Sequence, residues 1–220
     1  MLAVMNATPP TDAAADTIAS LAALRSLYAA PAERAVRKEI PALDRHCRDF
    51  IARSPFVVVA TGDAGFALDA SPRGGDPGFV KVDAEGRLLL PDAPGNNRLD
   101  TLENIVRTGG IGLLFLIPGF DETLRVNGTA VLSVDEAERE RCKDARRVPK
   151  LVIRVTVQAS YLHCAKALMR SELWNPAHHQ PRTCMPSMGE MLRDQVAGKV
   201  SPDTVFETQE QMLERYRQTL

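Results

Sequence analysis

The sequence lacks a long apolar run and an excess of charge of either sign. No stretch approaches the roughly 20 apolar residues that a membrane-spanning helix needs. The 27 basic and 28 acidic residues give a formal net charge of -1, so there is no reason to expect binding to nucleic acid or to a membrane surface. Residues 1–15 also lack the basic start and apolar segment of a secretion signal, so we expect a cytoplasmic protein.

Cysteine is scarce, and its spacing disfavours the common cysteine sites. The four cysteines are Cys47, Cys142, Cys164 and Cys184, and none forms a C-x-x-C pair. A zinc ribbon and a thioredoxin-type redox site are therefore disfavoured, and reduced thiols are expected. The histidines indicate no metal site either, because His163 and Cys164 are adjacent on a predicted strand and alternation sends them to opposite faces.

The standard nucleotide-binding motifs are absent too. The chain contains no G-x-x-x-x-G-K-[ST] sequence. Residues 110–115 lack the last glycine of a dinucleotide fingerprint and lie inside a predicted strand rather than after one. A P-loop fold and a Rossmann fold are therefore disfavoured.

The chain begins with helical patterns and continues with β patterns. Apolar residues recur at helical spacing before Pro31 and again after Pro41. They are Ile18, Leu21, Leu24 and Tyr28 in the first stretch and Leu43, Cys47, Phe50 and Ile51 in the second. Short β-branched or alternating runs follow, at 56–60, 66–68, 79–82, 87–90, 111–117, 124–134 and 151–161. Six or seven strands with hairpin-type connections, one of them through the turn 83–86, favour an antiparallel barrel over a doubly wound sheet.

One helix is predicted inside the series of strands. Asp100 and Glu103 have the spacing of an N-cap and its N3 partner, so the helix is expected to begin near Asp100. Gly109 or Gly110 is expected to end it in the left-handed conformation that glycine adopts readily.

Further helices are predicted at the C-terminus. Ser187 and Glu190 repeat the capping-box spacing ahead of an apolar stripe, and a last helix is expected over 211–220. The whole chain is interpreted as a single domain in three parts. These are N-terminal helices at 12–53, a barrel core at 54–165 and a C-terminal helical arm at 166–220.

Two turn-rich segments, 69–78 and 91–100, carry groups suited to a phosphate. The first contains Arg73 beside two glycines that allow a close approach of the backbone. The second places Asn96 and Arg98 just before the predicted helix start, where free N–H groups and the positive end of the helix dipole converge. Each segment alone is equally compatible with an ordinary polar loop. Together they favour binding of a phosphorylated cofactor.

Several of these stretches carry a resemblance to a known family. They are 54–56 (SPF), 69–74 (DASPRG), 94–100 (PGNNRLD), 112–119 (GLLFLIPG), 122–128 (ETLRVNG) and 163–167 (HCAKA). In this order they resemble the pyridoxamine 5'-phosphate oxidase-like proteins, and most closely the FMN-dependent enzymes of about this length. The resemblance runs from about Leu24 through Gly198.

The resemblance implies a mainly β fold with flanking helices, a split antiparallel β-barrel of the FMN-binding type. It also implies a homodimer with FMN at the subunit interface. The chain has no recognisable R-x-x-L-L-K or W…R-x-H-D-R segment, which the biosynthetic pyridoxamine phosphate oxidases carry. The vitamin B6 reaction itself is therefore not implied.

The resemblance also assigns residues to the FMN site by position. Ser71 and Arg73 would hold the phosphate from the first segment, and Asn97, Arg98 and Thr101 from the second. Residues that would approach from the partner subunit are Lys166 and Trp174.

Arg125 has two interpretations. Counting by twos places Arg125 and Asn127 on the strand face opposite Leu124 and Val126, where they would line the flavin cleft. The alternative is an outward-facing arginine and a strand-end turn at Asn127.

The leading functional hypothesis is an FMN-dependent oxidoreductase that acts on a small molecule. The flavin would carry the electrons while the protein orients it, and no catalytic side chain is assigned. One alternative is a flavin-binding sensor or carrier without turnover. Another is a split barrel that binds a deazaflavin or a haem-related ligand.

Overall fold

The computed structural model describes residues 17–201 and 203–219. The chain divides into two compact units, one ending at Glu39 and one beginning at Ile40. The described part of the first unit holds two short helices, α1 (Leu21–Ser26) and α2 (Glu33–Arg37). Residues 12–16, the predicted start of the N-terminal helices, lie outside the described residues, and the predicted limits 12–53, 54–165 and 166–220 stay predictions.

The second unit is built on one antiparallel sheet. Its strands are β1 (Phe56–Gly62), β2 (Leu68–Gly74), β3 (Lys81–Val82), β4 (Leu88–Pro91), β5 (Gly110–Leu116), β6 (Thr123–Ser133) and β7 (Val152–His163). They are ordered β2-β1-β5-β6-β7-β4-β3, and every pair is antiparallel. The helices are α3 (Arg45–Arg53), α4 (Asp100–Thr108), α5 (Glu136–Arg141), α6 (Lys166–Ser171), α7 (Met188–Val196) and α8 (Gln209–Thr219). The predicted mainly β fold with flanking helices is confirmed, and the sheet is consistent with a split barrel.

The hydrophobic core lies on one face of this sheet, under α3 and α4. Alternate strand residues point into it. The buried strand residues include Val57, Val59, Leu113, Phe115, Leu124 and Val126, and the helices add Phe50, Ile51, Leu102 and Ile105. Burial of each large side chain stabilises the fold by about 1.5–3 kcal/mol.

The segment 69–74, predicted as a phosphate-binding turn, is a strand instead. It forms most of β2, which pairs with β1 alone and is an edge of the sheet. Pro72 lies opposite Val58 in this pair. Proline has no N–H for a ladder, but an edge strand can leave that position unpaired. The turn-rich composition therefore misled the sequence interpretation.

The internal helix begins where expected but is not capped as expected. Residue Leu99 is the N-cap, in the left-handed conformation at φ 62°, and no side chain caps the helix. Asp100 lies inside the first turn, so the predicted capping box is wrong here. The predicted end is confirmed, because Gly109 caps α4 at φ 70°.

Other local predictions agree with the structure. The turn 83–86 joins β3 to β4 in an antiparallel hairpin. Ser187 and Glu190 form both hydrogen bonds of a capping box at the start of α7. A last helix is present as α8, although Leu220 lies outside the described residues. Within the residues described, no helix is long and apolar enough to cross a membrane.

A β-bulge between β6 and β7 requires glycine at position 128. Asn127 faces Ala159 and Gly128 faces Val157, so Gln158 is the extra residue of β7. A Cβ at Gly128 would overlap the carbonyl oxygen of Thr156. The two backbones can therefore approach this closely only at a glycine.

We expect Gly128→Ala to lower the free energy of unfolding by about 2 kcal/mol, because the methyl group must push the two strands apart. Urea denaturation followed by circular dichroism measures this. Gly110→Ala is the matched control, since a Cβ there comes no closer than 3.9 Å to Thr108 Oγ1. Equal stability losses in the two variants would contradict the prediction.

Candidate functional site

The polar face of β2 is the first component of the candidate site. Asp69, Ser71 and Arg73 alternate along the strand and are half-buried, whereas Leu68 and Pro72 on the other face are exposed. The polar face lies on the core side of the sheet, because Asp69 pairs with the buried Thr61 in β1. Helix α4 packs on this side and contacts both β1 and β2.

Asp69 connects the strand to the helix. Thr101, which is buried in the first turn of α4, donates a short hydrogen bond from Oγ1 to Asp69 Oδ2. Ser71 donates from Oγ to the same carboxylate, 3.0 Å from each oxygen. Asp69 of the segment 69–78 therefore contacts the helix that follows the segment 91–100.

Arg73 is the half-buried cation of the site. Its side chain is 20% exposed, and Nη1 lies 3.4 Å from Oδ1 of Asp92, whose side chain is 18% exposed. The Nε atom is buried and donates to no acceptor among the described residues. A guanidinium has five N–H donors. Arg73 therefore keeps donors that an anion could use.

The chain between β4 and α4 presents backbone N–H groups and a second arginine. Asn97 and Leu99 both adopt left-handed conformations, at φ 61° and 62°, on either side of Arg98. The start of α4 has no side-chain cap, and its free N–H groups and positive dipole end favour an anion. Asn96 is occupied locally, since its Oδ1 accepts from the Arg98 N–H at 3.1 Å.

Arg98 is more exposed than Arg73 and is paired within its own segment. Its Nε donates to Asp100 Oδ2 at 2.8 Å, and its side chain is 73% exposed. This hydrogen bond, the charge of Asp100 and the more distant charge of Asp69 raise the pKa of Arg98. Arg98 therefore stays cationic and can reorient toward an anion at the helix start.

These groups fit a phosphate. The Nε atom of Arg73 has no acceptor among the described residues, and the uncapped N-terminus of α4 offers further N–H groups. An arginine fork matches the geometry of phosphate oxygens. Chemically, the arrangement can bind and orient the phosphate end of a ligand.

Arg125 is not part of this cluster within one subunit. It lies on β6, three strands from β2 and so about 14 Å across the sheet. Its Nη1 donates to the Tyr161 hydroxyl at 2.9 Å, and the guanidinium lies 5.6 Å from the centre of the Tyr161 ring. Its predicted role at the flavin remains a prediction.

Lys166 and Trp174 lie in the C-terminal arm. Lys166 is exposed at the first position of α6. Trp174 donates from Nε1 to the Phe120 carbonyl at 2.8 Å, which ties the arm to the loop between β5 and β6. Trp174 also borders a cavity of about 340 Å³ with Asp121 and Glu172. Whether either side chain reaches a cofactor of the partner subunit remains a prediction.

The sequence interpretation missed two carboxylates, Asp69 and Asp92. Each contacts a predicted phosphate ligand directly. Assigning 68–74 as a strand would have found Asp69, because residues two apart share a face. Asp92 carried no local signal, since its partner lies 19 residues earlier in the chain.

The two buried cysteines, Cys47 and Cys142, are poor nucleophiles. Burial raises the pKa of the Cys142 thiol to about 11, and burial is also the main cause of the raised pKa of Cys47. Both thiols are therefore protonated at neutral pH. Across residues 17–201 and 203–219, no group of three or more His, Cys, Asp or Glu side chains is placed to hold a metal ion.

Comparisons with known proteins identify relatives of this chain. It is similar in structure to HupZ from Group A Streptococcus, with 20% identity and a TM-score of 0.46 over 55% of this chain and 93% of that one. A Clostridium acetobutylicum protein of the pyridoxinephosphate oxidase family has 14% identity and a TM-score of 0.40, over 54% of this chain and 85% of that one. An FAD binding protein from Mycobacterium smegmatis has 15% identity and a TM-score of 0.39, over 55% of this chain and 95% of that one. No curated protein matches the sequence.

The family model described as pyridoxamine 5'-phosphate oxidase matches residues 43–164, which is more than half of the chain. The matched region contains the whole sheet together with α3, α4 and α5. It therefore includes the polar face of β2, Arg73 and the start of α4. The chain belongs to the pyridoxamine 5'-phosphate oxidase family.

Proposed function

We propose that this protein is an FMN-binding oxidoreductase. In this proposal Arg73, Arg98 and the first N–H groups of α4 hold the FMN phosphate. Bound there, FMN would supply electron transfer, and the protein would orient the flavin and exclude water from its phosphate end. Asn96 and Asn97 shape the segment that presents these N–H groups.

The observation that carries the proposal is the position of Arg73. Its side chain is mostly buried, its Nε has no acceptor in the described chain, and Asp92 uses one N–H at the long distance of 3.4 Å. A buried donor without a partner costs about 1–3 kcal/mol. A phosphate oxygen within reach of Nε would remove that cost, and the family membership makes a flavin phosphate the natural candidate.

A homodimer is part of the proposal. The outer face of the sheet, opposite the core, is apolar across β2, β1 and β5. Its members are Leu68, Ala70, Pro72, Phe56, Val58, Ala60, Gly112, Leu114 and Leu116, and none of them is buried. Burial of this outer face would stabilise a dimer by the hydrophobic effect. We propose a second copy of the chain as the occupant, with Lys166, Trp174 and Arg125 contributing at the interface.

The function is tested on purified protein supplied with FMN. We expect a yellow protein whose flavin absorption stays with it through gel filtration and is bleached by NADH or NADPH under anaerobic conditions. Bound flavin that neither donor reduces would favour a sensor or carrier. Native mass spectrometry would reveal a deazaflavin or a haem-related ligand by its mass. Colourless protein that cannot be reconstituted with FMN would contradict the proposal.

A further inference from the structure

The hydroxyl groups of Ser71 and Thr101 have no proton to give to a phosphate. Each hydroxyl carries one O–H. Ser71 donates to the Asp69 carboxylate at 3.0 Å, and Thr101 donates to it through a short hydrogen bond. While these bonds last, neither residue can donate to a ligand, although the sequence predicted both as phosphate ligands.

Asp69 instead links the edge strand β2 to the first turn of α4 by hydrogen bonds. It lies 32 residues from Thr101 in the chain. Strand β2 is held by β1 on one side only, and the N-terminus of α4 has no side-chain cap. The Asp69 carboxylate therefore joins the edge strand directly to the first turn of the helix.

Asp69 lies at a distance from Arg73, although it contacts the first turn of α4 through Thr101. Along β2 it precedes Arg73 by four residues, so their Cα atoms are about 13 Å apart. Its negative charge is also engaged by two hydroxyl donors. It therefore need not repel a phosphate held at Arg73.

We infer that Asp69 is a positioning residue for the phosphate end of the flavin. By accepting the hydrogen bonds of Ser71 and Thr101, Asp69 holds the first turn of α4 against β2. It thereby sets the spacing between the helix N–H groups and Arg73. This inference rests on the proposed function.

The test compares FMN with riboflavin, which is the same flavin without a phosphate. We expect Asp69→Ala to weaken FMN binding about tenfold, the size expected for losing hydrogen bonds to a charged group, and to leave riboflavin binding unchanged. Asp69→Asn keeps one acceptor oxygen and is expected to lose about threefold. Fluorescence quenching of each flavin on titration with protein gives the dissociation constants.

Two further variants serve as an alternative and as a control for this test. Thr101→Val removes the same hydrogen bond from the helix side, and we expect the same FMN-specific loss if Asp69→Ala fails to fold. Glu103→Gln is the control for charge alone, because it neutralises an exposed carboxylate on α4 that pairs with Arg107. We expect Glu103→Gln to change the FMN-to-riboflavin affinity ratio by less than about twofold.

The outcomes separate this inference from the proposed function. Tighter FMN binding by Asp69→Ala would show that its carboxylate competes with the phosphate, and an unchanged affinity ratio would show a structural role only. Either result overturns the inference while leaving FMN binding by the wild type intact. Wild-type protein that binds neither flavin overturns the proposed function, and the inference with it.

Discussion

Replacing Arg73 by alanine is expected to weaken FMN binding about a hundredfold while leaving riboflavin binding nearly unchanged. Hydrogen bonds from a cation to phosphate oxygens contribute about 1.5–3 kcal/mol each, and a mostly buried arginine forms them with little screening by water. The substitution also leaves the half-buried Asp92 without its cation, which places an uncompensated negative charge near the phosphate. Isothermal titration with each flavin measures the effect.

Arg73→Lys separates charge from geometry. Lysine keeps the charge but loses the planar fork, so we expect an intermediate loss of about tenfold. Arg107→Ala is the matched control, because Arg107 lies in the last turn of α4, half-exposed and paired with Glu103. An Arg73→Ala protein with wild-type affinity for FMN would refute the proposed phosphate site.

Placing a charge on the apolar outer face is expected to convert the proposed dimer into monomers. Val58 lies at the centre of that face, between Pro72 of β2 and Leu114 of β5. In a monomer the guanidinium of Val58→Arg reaches water, but in a dimer it would be buried against apolar groups without a partner. That desolvation costs several kcal/mol in each subunit, enough to lower the dimer affinity at least about a thousandfold.

Light scattering and analytical ultracentrifugation measure the change in mass. Val131→Arg is the matched control, since Val131 is 50% exposed on β6 and lies opposite Arg154, away from the apolar residues. If the flavin lies at the subunit interface, Val58→Arg will also lose FMN, whereas Val131→Arg will keep it. A Val58→Arg protein that remains dimeric would exclude this face as the interface.

Local patterns predicted most of the architecture. Alternation of Leu124 and Val126, the turn 83–86, and Gly109 as a helix end were sufficient because each depends on residues a few positions apart. The family resemblance likewise came from short stretches of sequence, and the family match covers all of them except residues 165–167. The antiparallel, mainly β fold follows from these signals.

Local patterns failed where a partner far along the chain decided the structure. Residues 69–74 contain proline and glycine, which favour a turn, but pairing with β1 makes them an edge strand. Asp100 has the spacing of an N-cap, yet the left-handed Leu99 takes that position. Competing local preferences of about 1 kcal/mol are easily outweighed by tertiary contacts.

The sequence by itself determined the family and the strand pattern, and it predicted two segments suited to a phosphate. Only the tertiary structure decided which side chains in those segments have donors left over. Ser71 and Thr101 donate to Asp69, whereas the half-buried Arg73 has a buried Nε–H without an acceptor among the described residues. The physical reason is that a hydroxyl donates its one proton to whichever acceptor the fold places beside it. Asp69 lies 32 residues from Thr101 along the chain, so only the tertiary structure brings the two together.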